Sequence, residues 1–281
     1  MSEPKFDQPP GPLAGQAASP PDAWAGLKQF TRARIALGRT GGSWQTGTLL
    51  EFRLAHALAR DAVCQNFDIE ALEKQMCQLG HETARLTTAA RNRALFLQRP
   101  DLGRCLSAES EEFLRQKTAG WAGRNLAILV SDGLSALAAE RQIVPTLATL
   151  LPLLTQAGWT ICPIFIIPLA RVKLQDQIGT LLRARHTLML LGERPGLGSP
   201  DSLGAYFTYE PSPEKTDADR TCVSNIRQEG LRPDLAGQKL ARLLLESVRQ
   251  GRSGIGFKEP ARGGDSVLLD PAVLDIKSQQ A

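Results

Sequence analysis

The stretch Leu126-Ala127-Ile128-Leu129-Val130-Ser131-Asp132-Gly133 decides the fold. Five apolar residues in a row, too few for a buried helix and ending in a turn-forming Ser-Asp-Gly, read as a strand covered on both faces. The pattern repeats downstream. Leu134 to Ala157 is helical, Trp159 to Ile167 is a second strand, Gln175 to Ala184 a helix, and Thr187 to Leu191 a third strand ending at Gly192. Apolar strands alternating with helices indicate an α/β fold with a Rossmann-like parallel sheet and helices on both faces.

Upstream, the spacing of Leu49, Phe52, Ala55, His56, Ala59 and Val63 predicts a helix, with Thr46 as its cap. Further helical stretches run from Asp68 to Leu79 and onward from Ser107. Downstream, Ala205 to Tyr209 reads as an edge strand, followed by a long polar stretch to Arg232 and an amphipathic helix from Pro233. The chain thus divides into a flexible Pro-rich segment 1–30, a mostly helical region 31–118, the Rossmann-like domain 119–258 and a tail 259–281. The first segment holds six of the eighteen prolines, and Trp24, Leu27 and Phe30 close it as a short docking helix or as the first turn of the core.

Composition narrows the function. The 281 residues carry 33 basic against 29 acidic side chains, a net charge of +4, too small an excess for a dedicated nucleic-acid binder. No charge falls between Arg141 and Arg171, but Pro145, Pro152, Pro163 and Pro168 make this a buried helix and strand and not a membrane span. Five scattered cysteines, never at CxxC spacing, suggest no disulfide framework, no zinc site and a reducing cytoplasm.

Ligands of such sheets sit beyond the carboxyl ends of the strands, so the informative loops begin at Ser131, Ala170 and Gly192. They contain no dinucleotide or P-loop fingerprint and no nucleophile elbow. Gly38-Arg39-Thr40-Gly41-Gly42 reads as a turn, the isolated His56, His81 and His186 as core or surface residues, Glu193 beside Arg194 as a loop-ordering ion pair, and Cys222 as a buried small hydrophobe. The residues alone leave three readings open. One is a subunit that completes another chain's active site. Another is a stand-alone α/β enzyme or binding protein for an anionic metabolite, with Glu193 or Asp132 as acid/base. The third is an assembly or shell-targeting adaptor acting through the Pro-rich tail.

Several loops resemble, in order, those of the small subunit of ethanolamine ammonia-lyase. They are Ala33-Arg34-Ile35-Ala36-Leu37-Gly38-Arg39, Leu97-Gln98-Arg99-Pro100-Asp101-Leu102-Gly103-Arg104, Ser131-Asp132-Gly133-Leu134-Ser135, Arg171-Val172-Lys173 with Asp176-Gln177-Ile178-Gly179, Gly192-Glu193-Arg194-Pro195-Gly196-Leu197-Gly198 and Asp219-Arg220-Thr221-Cys222-Val223-Ser224-Asn225-Ile226. The resemblance spans residues 30 to 257. It implies a lyase dependent on adenosylcobalamin, with the cofactor between the small subunit and a large TIM-barrel subunit that holds ethanolamine and the catalytic residues. Homolysis of the cobalt–carbon bond would start the radical conversion of ethanolamine to acetaldehyde and ammonia, chemistry that belongs to the cofactor.

By the same resemblance, Val172, Glu193 and Cys222 would contact the cofactor, and this chain would contribute no catalytic residue and no metal ligand. Asp-x-His-x-x-Gly, the motif that replaces the lower axial ligand in other cobalamin enzymes, is missing around all three histidines, in keeping with the base-on binding that the resemblance implies. The family works in open cytoplasm in some bacteria and inside a bacterial microcompartment in others.

Overall fold

The computed structural model describes residues 23–31 and 33–260. Most of the Pro-rich segment and nearly all of the tail therefore lie outside the described residues. The chain forms two compact units that part between His56 and Ala57.

In the first unit, Trp24 precedes a 3-10 helix, Ala25–Phe30, that buries none of its residues, so it is not a turn of the core. A hairpin of β1 (Arg39–Thr40) and β2 (Ser43–Trp44) closes over Gly41 and Gly42, with Gly41 at φ +61, so the glycine cluster is indeed a turn. Helix α1 (Thr46–Cys64) begins in this unit and ends in the second; Thr46 is its first residue and not its cap.

The second unit is a mixed α/β layer structure. Helix α2 (Ile69–Gln78) is capped by Asp68 and leads into β3 (Thr83–Arg85). Helix α3 (Arg93–Gln98) and helix α4 (Ala108–Trp121) precede β4 (Leu126–Ser131), and Ser107 caps α4 as the sequence suggests, accepting from the Ser110 amide at 3.2 Å. Helix α5 (Ala136–Gln156), β5 (Ile164–Ile166), α6 (Leu174–Leu182), β6 (His186–Gly192), β7 (Leu203–Tyr209), β8 (Arg220–Ile226) and α7 (Pro233–Gln250) complete it. Among the described residues no helix is long and apolar enough to cross a membrane.

The sheet order is β3-β5-β4-β6-β7-β8. Pairs β3·β5, β5·β4 and β4·β6 are parallel, whereas β6·β7 and β7·β8 are antiparallel, so the sheet is mixed and not wholly parallel. Two sequence expectations need correction. Ala205 to Tyr209 lies inside the sheet between β6 and β8, and the polar stretch to Arg232 contains the true edge strand. Helices α5 and α7 cover one face, where Ile128, Val130, Ile166, Leu190 and Phe207 are buried with Leu147, Leu240 and Leu244. Helices α4 and α6 cover the other, where Leu129, Phe165 and Met189 are buried with Leu114, Leu174 and Ile178.

Two glycines lock the carboxyl ends of β4 and β6 together. Gly133 has φ +50, and a Cβ there would lie 2.4 Å from the Gly192 carbonyl oxygen. One on Gly192 would lie 2.1 Å from the Ser135 oxygen and 2.5 Å from that of Asp132. These neighbours are backbone and cannot swing aside. Gly192→Ala should therefore cost about 3 kcal/mol of folding stability, the upper part of the usual overpacking range. Urea denaturation of the purified chain measures this, and wild-type stability would mean that the two loops can part.

Candidate functional site

Three loops meet beyond the carboxyl ends of the parallel strands. The one after β4 is fixed by Asp132, a buried carboxylate. Its Oδ1 accepts from the Leu169 amide at 2.7 Å and the Ser131 hydroxyl at 3.2 Å, and its Oδ2 from Arg93 Nη1 at 2.8 Å. Burial pushes its carboxyl up, while the Leu169 amide and the Arg93 charge pull it down. With both oxygens engaged, Asp132 pins the β4 and β5 loops to α3 and is not poised as a free acid or base.

The loop after β5 carries Arg171-Val172-Lys173 into the start of α6. Arg171 lies on the ring of Phe96, its guanidinium carbon 4.1 Å from the centroid, and its amide donates to the Gly103 carbonyl at 2.8 Å. Gly103 is required there, because a Cβ would come within 2.9 Å of Arg171 Cγ, the Leu169 carbonyl oxygen and Phe96. The Arg99-Pro100-Asp101-Leu102-Gly103-Arg104 segment is thus held against the β5 loop, and it brings Pro100 and Arg104 into the same cleft as Val172.

Val172 and Cys222 line one open cleft of about 700 Å³, with Arg171, Lys173 and Tyr206. Strand register explains the meeting. Phe165, Leu129, Met189, Tyr206 and Cys222 are consecutive cross-strand neighbours over β5, β4, β6, β7 and β8, on the face covered by α4 and α6. Cys222 ends that row on the edge strand. It is exposed, not buried as the sequence suggests, because β8 ends the sheet and no further strand or helix among the described residues covers this end of the row. Crowding by its neighbours pushes the thiol up, and the Glu193 charge adds to the rise against the pull of the Tyr206 hydroxyl bonded to it. Cys222 is therefore held toward its protonated, uncharged form, a soft group suited to packing.

Glu193 stands just outside this cleft, after β6. Its Oε2 accepts from the Ser202 hydroxyl at 2.5 Å and the Asn225 amide at 3.3 Å, so its partners are these and not Arg194. Asn225 adopts φ +58 on the same strand as Cys222. Glu193 Oε1 accepts from no side chain or amide among the described residues. It lies over Gly204, where a Cβ would sit 2.9 Å from it. The structure thus brings Val172 and Cys222 into one wall and sets Glu193 at its rim through the Asn225 amide on the strand of Cys222.

Two groups that hold the site together escape the sequence reading. Asp176 receives both ends of the Arg220 guanidinium, at 2.7 and 2.8 Å, and Lys173 at 2.9 Å, tying the start of α6 to the start of β8. Arg93 and Phe96 support Asp132 and Arg171 from α3. The quoted motifs contain Asp176, Arg220 and Arg171, so the signal lay in the sequence, but nothing in the spacing says which residues pair.

Open cleft, apolar Val172, soft Cys222 and a rim carboxylate with one free oxygen suit a large ligand with an apolar face and amide donors at its edge. A corrin ring has both, so the residues present fit a corrinoid.

Comparison with known proteins agrees with the sequence resemblance. The family model described as ethanolamine ammonia-lyase light chain (EutC) matches residues 21–258. The ethanolamine ammonia-lyase small subunit of Xanthomonas campestris pv. campestris is 50% identical over 263 residues, covering 93% of this chain and 94% of that relative. Proteins of the same name from Pseudomonas syringae pv. tomato and Pseudomonas putida are 46% identical over 257 residues and 48% identical over 244, covering 91% and 86% of this chain and 89% and 90% of their own lengths.

Proposed function

The chain belongs to the ethanolamine ammonia-lyase light-chain family, and on that premise we propose that it is the small subunit of an adenosylcobalamin-dependent ethanolamine ammonia-lyase, active only with its large subunit. In this reading the large subunit binds ethanolamine and carries the catalytic residues, and residues 119–258, together with β3, act as a Rossmann-like cofactor domain. Bound adenosylcobalamin, held base-on, supplies the radical chemistry. The enzyme works in the cytoplasm, in open solution or inside a bacterial microcompartment.

The observation that carries the reading is the convergence of Val172 and Cys222 on one cleft with Glu193 at its rim. Val172 offers an apolar surface to the underside of the corrin, Glu193 Oε1 accepts from a peripheral amide, and Cys222 packs against the ring edge without charge. Each contact orients the cofactor, and together they keep water from that side of it.

Reconstitution tests the proposal. The purified chain, a large subunit and adenosylcobalamin should together form acetaldehyde from ethanolamine, and omission of any one should abolish it. In that complex Glu193→Ala should weaken cobalamin binding about tenfold, the worth of one charge-assisted hydrogen bond, with the circular dichroism of the chain unchanged. Activity of the chain alone, or cofactor affinity indifferent to Glu193, would overturn the assignment.

A further inference from the structure

The cleft holds more positive charge than its own carboxylates neutralise. Lys173 and Arg220 are satisfied by Asp176, and Arg220 also reaches Asp217 at 3.3 Å. Arg104 is different: its exposed side chain lines the cleft and makes no hydrogen bond or ion pair among the described residues. Arg171, bound through its amide to Gly103, spends Nη2 on the Phe96 carbonyl at 3.3 Å and keeps Nε buried with no acceptor among the described residues. Burial, and then the charges of Arg104, Arg93 and Arg194, push the Arg171 guanidinium down from its ordinary range. Like charges gathered with an orphaned donor are costly unless an anion joins them.

Cobalamin carries such an anion. Its nucleotide loop contains a phosphodiester with one negative charge and two unesterified oxygens, a match for guanidinium forks. Arg171 precedes Val172, so an anion on Arg171 would lie close to a ring resting on Val172. Resting on the reading above, that this cleft takes cobalamin, we propose that Arg104 and Arg171 bind the phosphodiester of the nucleotide loop. The small subunit then reads the lower tail of the cofactor as well as its corrin rim, and selects corrinoids that carry the phosphate.

The test uses the complex of small and large subunits and three corrinoids: cobalamin, cobinamide phosphate, and cobinamide, which lacks both base and phosphate. Equilibrium dialysis should find cobinamide phosphate bound about tenfold more tightly than cobinamide. Arg104→Ala should remove that difference, weaken cobalamin by a similar factor and leave cobinamide unaffected, while Arg104→Lys should restore most of the loss. Equal affinity of the wild-type complex for cobinamide and its phosphate would overturn the phosphate assignment alone. So would an Arg104→Ala loss shared by all three ligands, or one confined to subunit association, which would turn Arg104 toward an acidic group of the large subunit. A wild-type complex that binds no corrinoid would instead overturn the functional reading beneath it.

Discussion

Replacing Asp176 by alanine should cost about 3–5 kcal/mol of folding stability, the usual price of leaving a buried charge without its partner. The side chains of Asp176 and Arg220 are 1% and 2% exposed and meet through two parallel bonds of 2.7 and 2.8 Å. Without the carboxylate, Arg220 keeps only the Thr208 hydroxyl at 3.2 Å and exposed Asp217 at 3.3 Å, and it cannot shed its proton. Lys173 loses its 2.9 Å partner too. The cleft should open with the fold: the pair joins α6, which follows Val172, to the strand that bears Cys222, so on the proposed function cobalamin retention should fall even where the variant stays folded. Asp176→Leu with Arg220→Met removes both charges and should regain much of the stability but not the cofactor affinity. Denaturation of the three chains and corrinoid binding by their complexes check both statements, and a single-variant cost under about 1 kcal/mol would show that the pair is hydrated like a surface bridge.

How much of this was legible depends on how strongly each element's surroundings constrain its residues. β4 announces itself because all six of its residues are buried and the first five form an unbroken apolar run. α5 is legible through its three- and four-residue spacing even with Pro145 and Pro152 inside it. β8 is not. Arg220-Thr221-Cys222-Val223-Ser224-Asn225-Ile226 alternates imperfectly, since the sheet register shifts between Leu203 and Ala205 opposite it and the outer residues serve the ion pair, the cleft and Glu193. β3 is missed because three residues carry too little pattern. Its place, and that of β8, depends on pairing with strands remote in sequence, which periodicity cannot express.

The site follows the same division. Glu193 is conspicuous at a strand end, and the family resemblance singles out Val172 and Cys222, but the guanidinium stack on Phe96 and the Asp176–Arg220 pair join side chains from α3, α6 and β8. Such residues act by position. They leave no local signature beyond their membership of the matched segments, and they decide whether the contact residues face one cleft.

Acid should expose a second weak point of the fold at His186. This first residue of β6 is fully buried, ringed by Trp159 and Tyr209 at 5.1 Å between centroids, with Nε2 3.1 Å from the Ser247 hydroxyl on α7. Burial, and then the neighbouring Arg185 charge, push its pKa down to about 3, against about 6.5 in an unfolded chain. A depressed folded pKa means that the unfolded state takes up the proton first. The stability due to neutral His186 is therefore complete above about pH 6.5, and it drains away as the pH falls toward 3, at about 1.4 kcal/mol per unit. Between pH 6.5 and 4 this single residue should cost about 3 kcal/mol. His186→Gln, which cannot charge and still offers a hydrogen bond to Ser247, should be less stable at pH 7.5 through poorer ring packing but should lose less on acidification. The two stability curves should converge, and then cross if the packing loss is the smaller term. Since carboxylates titrate alike in both chains, the difference between the curves isolates the histidine. Curves that stay parallel from pH 7.5 to 4 would mean that His186 is protonated equally in the folded and unfolded chains, and that the joint between β6 and α7 is open to water.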